Sequence, residues 1–205
     1  CKSCNIAGAV GTCSNVAAGL DDPNGVPACS GTNQSCDGMG GCKKENGQTC
    51  GGATDCLSGF CADGVCCNAA CTGTCQACNL AGSIGSCTNV ASGQDDVGTC
   101  SGASQSCDGA GACKSELGTA CSTNANCLSG FCVDGFCCNT ACTGTCQACS
   151  ALIQGQGTNG TCGNIILGTD PDNECVNGSC NGSGTCKQDL GTTCSMATQC
   201  LSGFC

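Results

Sequence analysis

The chain sets 33 Cys and 35 Gly in 205 residues beside four Phe and no Trp, Tyr or His, and five Lys face fifteen acidic residues for a formal net charge of −10. Large side chains are too few for an ordinary apolar core, and a Cys content near 16%, against the roughly 8–10% that marks a disulfide scaffold, puts covalent cross-links in its place. With no His there is no triad catalysis, no haem imidazole and no Cys/His zinc finger, and acidic charge without Arg or stacking aromatics excludes nucleic acid and anionic membranes as partners.

No apolar run approaches the roughly 18–20 residues of a membrane span. No leader is recognisable, and a chain opening on Cys1 reads as part of a mature secreted protein. So many thiols suit an oxidising compartment. A metal–thiolate array is the competing reading, but C-x-C never occurs and Lys is scarce.

The cysteine spacing recurs, with Cys1, Cys75 and Cys146 opening copies 74 and then 71 residues apart. Residues 1–74 carry Cys1, Cys4, Cys13, Cys29, Cys36, Cys42, Cys50, Cys56, Cys61, Cys66, Cys67 and Cys71. Residues 75–145 repeat the series with Cys75, Cys78, Cys87, Cys100, Cys107, Cys113, Cys121, Cys127, Cys132, Cys137, Cys138 and Cys142. The truncated third copy, 146–205, holds Cys146, Cys149, Cys162, Cys175, Cys180, Cys186, Cys194, Cys200 and Cys205. All are expected to be oxidised, with pairing that recurs at the repeat period.

The predicted elements follow one order in every copy. A sparse piece of four cysteines, such as Cys87, Cys100, Cys107 and Cys113, comes first, and Asn15-Val16, Asn89-Val90 and Asn164-Ile165-Ile166 each supply it with a short strand. A dense piece of eight follows, exemplified by Cys121 through Cys149, whose vicinal Cys137-Cys138 suits a small knotted or ladder-like staple. Within it Asp63-Gly64 and Asp134-Gly135 stand where a hairpin turn is wanted. No segment of ten residues keeps a helical period. The expected fold is therefore a small disulfide-rich repeat protein of short β-hairpins and loops with little or no helix, arranged as a linear array of stapled modules.

The pattern is cut inside a dense piece at each end, and 33 is odd, so at least one cysteine has no partner within these residues. The expectation is a longer tandem array, with a relative of 139–145 before Cys1 and of 62–77 after Cys205.

The runs Gly118-Thr119-Ala120-Cys121, Cys127-Leu128-Ser129-Gly130-Phe131-Cys132-Val133-Asp134-Gly135-Phe136-Cys137-Cys138-Asn139 and Thr169-Asp170-Pro171-Asp172-Asn173-Glu174-Cys175 resemble Cys-rich tandem repeats in large secreted and surface proteins of myxobacteria and related bacteria. The likeness covers essentially the whole chain. It implies an extracellular bacterial protein and carries over no active site.

Few other residues bear on chemistry. Asp21-Asp22, Asp95-Asp96 and the pair Asp170 and Asp172 fall at corresponding places. Oxygen-rich loops of this kind are candidates for calcium, which takes six to eight oxygens, and the alternative is that they brace turns. Cys75-Gln76-Ala77-Cys78 and Cys146-Gln147-Ala148-Cys149 have the form of exchange dithiols but sit among many half-cystines, which favours structural bridges. The five lysines read as solvated surface charge. Leu57, Phe60, Leu128, Phe131, Leu201 and Phe204 recur in every copy and Phe136 appears once, either as a small core or as the contact between repeats.

No residue claims a catalytic role and no cofactor is implied beyond the calcium candidate. The expected function is structural: a stiff disulfide-stapled rod or filament outside a bacterial cell, self-associating head-to-tail or continuing as one long chain, with no nucleic acid, haem or membrane span. A multivalent adhesin stalk or a protease inhibitor are the alternatives.

Overall fold

The computed structural model describes residues 1–8, 10–24, 29, 33–96, 98–100, 102 and 104–205. They divide into two compact units, Cys1–Ala91 with Gly109–Gly111, and Ser92–Asp108 with Ala112–Cys205. Among these residues every strand is two or three residues long and pairs antiparallel with its neighbour in the sequence. In the first unit β1 (Lys2–Ser3) pairs with β2 (Ser14–Asn15), and β3 (Gln34–Cys36) with β4 (Cys42–Lys44). β5 (Cys61–Ala62) then pairs with β6 (Val65–Cys66), and β7 (Gln76–Ala77) with β8 (Thr88–Asn89). In the second unit β9 (Gln105–Cys107) pairs with β10 (Cys113–Ser115), and β11 (Cys132–Val133) with β12 (Phe136–Cys137). β13 (Gln147–Ala148) pairs with β14 (Gly163–Asn164), and β15 (Gly178–Cys180) with β16 (Cys186–Gln188).

Short polar side chains set the turns. Between β3 and β4, Asp37 Oδ1 accepts the N–H groups of Met39 and Gly41, each at 2.8 Å. Those two bonds hold its carboxyl below the usual range. Asn181 does the same between β15 and β16, accepting from Ser183 at 2.8 Å and Thr185 at 3.2 Å. The Asp-Gly pairs close the hairpins expected of them: Asp63 and Asp134 have φ of 51° and 53°, as a two-residue primed turn requires. Their carboxylates also reach downstream, where Asp63 accepts the Cys78 N–H at 2.7 Å and Asp134 that of Cys149.

Single 3₁₀ turns at Ala53–Asp55, Asn124–Asn126 and Ala197–Gln199 lead into Cys56, Cys127 and Cys200. Lys43, Lys114 and Lys187, read from the sequence as solvated charge, donate their ammonium groups to the carbonyls of Thr54, Ala125 and Thr198 in these turns. The one α-helical turn among the described residues, Ala151–Gln154, lies where the third copy spaces Cys149 and Cys162 by thirteen residues, against nine between Cys78 and Cys87. Buried Gln154 fastens it by donating to the carbonyls of Ala148 (2.6 Å) and Thr161 (2.7 Å).

The bridges regroup the cysteines. Cys50 bonds Cys61 and Cys56 bonds Cys66, closing a four-cysteine staple. Cys67, next in the chain, bonds forward to Cys78, and Cys71 bonds Cys87. The second unit repeats this with Cys121 to Cys132, Cys127 to Cys137, Cys138 to Cys149 and Cys142 to Cys162. The vicinal pair is thus a divide: its first member bonds backward and its second forward. The eight cysteines of the dense piece do not form one closed staple, because Cys71 and Cys142 bond to the first cysteine of the sparse piece that follows. Cys4 and Cys13, counterparts of Cys78 and Cys87, bond one another instead.

Cystine is also the core. The buried aliphatic side chains larger than Ala among the described residues are Val16, Val90 and Ile165, each just past the short strand expected there. Ile165 packs with Ala148 against the Cys146–Cys180 and Cys175–Cys186 bridges. The recurrent Leu and Phe side chains are not the core. Leu57, Leu128, Phe131, Phe136 and Leu201 are half-buried, and Phe60 and Phe204 are exposed. Modules of thirty-odd residues filled by cystine have no interior left for them.

Candidate functional site

In the third copy the bridges are stacked, with Cys146 Sγ lying 3.4 Å from that of Cys175 and 3.8 Å from that of Cys186. In the first copy Cys1 bonds Cys36, but Cys29 and Cys42 remain thiols, as does Cys200. Complete oxidation is therefore corrected at Cys29 and Cys42, and Cys200 is an unpaired cysteine of the kind the odd count requires. Cys56 and Cys127, counterparts of Cys200, bond cysteines ten residues downstream, a spacing that for Cys200 reaches beyond these 205 residues. Cys29 and Cys42 correspond to the bridged pairs Cys100–Cys113 and Cys175–Cys186, and their side chains are hydrogen-bonded to one another. Burial first, and then the Cys42 thiol beside it, push the Cys29 thiol up to about 11.

The thiolate is the reactive form, so Cys29 stays protonated and inert near neutral pH. Iodoacetamide at pH 8 is expected to leave Cys29 unlabelled in the native protein and to label it once guanidinium has unfolded the chain; labelling before unfolding would show the burial to be wrong. Prolonged exposure to oxidised glutathione should join Cys29 to Cys42, their two hydrogens leaving with two reduced glutathiones, as peptide mapping would detect.

The C-x-x-C segments are not dithiols. Cys78 and Cys149 bond Cys67 and Cys138, and Cys146 bonds Cys180. The acidic loops serve the backbone. Asp170 accepts the N–H groups of Glu174 at 2.9 Å and Cys175 at 3.0 Å, and Glu174 in turn accepts that of Cys146. In the first copy Asp22 stands 3.2 Å from the Cys1 nitrogen, and in the second Asp96 accepts the Thr99 hydroxyl. Asp21 and Asp95 are exposed. The Asp172 carboxyl is pushed up by burial and by neighbouring Asp134, Glu174 and Asp170. Among the described residues, the groups that bring three potential ligand atoms within 4.8 Å consist of cysteine sulfurs alone, such as those of Cys146, Cys175 and Cys180.

A feature that sequence reasoning missed recurs in all three copies: a shallow cleft of about 480, 530 and 500 Å³ in chain order. Its floor is Gly19, Gly93 or Gly168, whose N–H bonds the carbonyl of Cys36, Cys107 or Cys180. One wall is Leu57, Leu128 or Leu201, fixed by a backbone bond to the carbonyl of Lys44, Ser115 or Gln188. The lining also includes Glu45, Glu116 or Asp189, the residue that follows that carbonyl. Each carboxylate accepts the hydroxyl of a buried serine ten residues earlier, Ser35, Ser106 or Ser179. The signal was present in the repeats, since a serine before the third cysteine of each sparse piece and an acid ten residues on recur three times. No family model matches the chain, and no curated protein or solved structure is similar to it.

Proposed function

We propose that the chain is a structural segment of an extracellular bacterial protein, an extended array of stapled modules that serves as a rod or filament. The observation that carries this reading is the locality of the cross-links. The bridges within the two units join cysteines 9 to 35 residues apart, and, apart from Cys4–Cys13 and the thiols of Cys29 and Cys42, the pairings return from copy to copy. Modules tied only to themselves and their neighbours stack along one dimension, whereas long-range cross-links would draw the chain into one body. Extensive disulfide bonding is consistent with an extracellular setting, and no helix among the described residues is long and apolar enough to cross a membrane.

Small-angle scattering tests the reading. A globular chain of this length has a radius of gyration of about 17 Å. The native protein is expected well above that value, and a measurement near 17 Å would overturn the rod. A second reading, the stalk of a multivalent binding protein, is favoured by one observation: the cleft repeated in every copy.

A further inference from the structure

The repeated cleft joins an apolar wall to an acid, and its complement is a group with an aliphatic stem and a positive end. Leu57, Leu128 and Leu201 are half-buried and leave part of their surface to the cleft. Each shares its cleft with one carboxylate, and within the described residues no lysine pairs with Glu45, Glu116 or Asp189. Lys43, Lys114 and Lys187 are turned onto carbonyls instead. The formal charge of −10 makes a cationic partner the electrostatic match for the whole chain. Lysine lays its methylenes on apolar surface while its ammonium stays at the polar rim, which is the pattern the cleft offers.

We propose that each cleft receives a lysine side chain of a cationic polypeptide. A single exposed ion pair is weak, and repetition supplies the affinity through a high effective concentration. The proposal does not depend on the array being extended, so it and the rod reading fail separately.

The test is calorimetric titration of the whole chain with hexalysine at low salt, with fully acetylated hexalysine as the neutral control. Saturable binding of hexalysine alone is expected. Glu45→Gln, Glu116→Gln and Asp189→Asn combined should weaken it at least about tenfold, and each replacement keeps an oxygen to accept the serine hydroxyl. Asp21→Asn, Asp95→Asn and Asp172→Asn remove the same charge outside the clefts and should weaken binding by less than about threefold. Leu57→Ala, Leu128→Ala and Leu201→Ala, which leave the charge untouched, should also weaken it. Absence of binding, or equal losses in the two charge-neutralised variants, would overturn the proposal.

Discussion

Reduction with dithiothreitol in native buffer is expected to unfold both units completely. Three buried aliphatic side chains, Val16, Val90 and Ile165, are the largest apolar groups in the interior, and each contributes only about 1.5–3 kcal/mol. Most of the remaining interior is cystine, so breaking the bridges removes the cross-links and most of the core packing in one step. In the chain-entropy account, closing a loop of 15 residues is worth about 3 kcal/mol, and loops such as Cys138–Cys149 and Cys142–Cys162 bracket that length. Two such bridges already match the lower end of the roughly 5–15 kcal/mol by which whole domains are stable. Amide proton dispersion in NMR spectra should collapse on reduction and return on reoxidation. A reduced chain that kept its dispersion would show that the hairpins stand without their staples.

The elements legible in the sequence were those fixed by local chemistry. Asp63-Gly64 and Asp134-Gly135 specify a tight turn by themselves, and the structure has hairpins there. The low helix content followed from the absence of any sustained period, and the exception, Ala151–Gln154, is a single turn too short to show one. Connectivity was not legible, since adjacent Cys66 and Cys67 look alike along the chain and diverge only because successive residues on an extended segment face opposite ways. The Leu and Phe positions misled for a related reason. Recurrence marked them as important, but with cystine filling the small interiors, Leu57, Leu128 and Leu201 were left as cleft walls. The acids beside them stand singly in the sequence and lack the visible pairing of the aspartates, of which Asp170 accepts two turn N–H groups.

Gly160→Ala is expected to be among the most damaging single substitutions outside the cysteines. Gly160 has φ +93°, and a Cβ built on it would lie 2.2 Å from the Gly118 nitrogen, a backbone atom that cannot swing aside. That nitrogen is already committed, donating to the Cys137 carbonyl at 2.9 Å, while the Gly160 carbonyl accepts the Asn139 N–H at 2.9 Å. The two segments cross at the vicinal pair, so an added methyl must separate them and break the bonds on either side of Cys138. The left-handed backbone costs Ala about 1–2 kcal/mol and the overlap about 1–3 kcal/mol more. Gly130 supplies the control, with φ +78° and nothing within 4 Å of its added Cβ, so Gly130→Ala bears the backbone cost alone. The crossing recurs in the first unit, where a Cβ on Gly85 would meet the Gly47 nitrogen at 2.4 Å, and Gly85→Ala should behave alike. Guanidinium unfolding with the bridges intact, followed by amide dispersion, measures the difference. Losses at Gly160 and Gly85 no larger than at Gly130 would mean that the crossing segments separate freely.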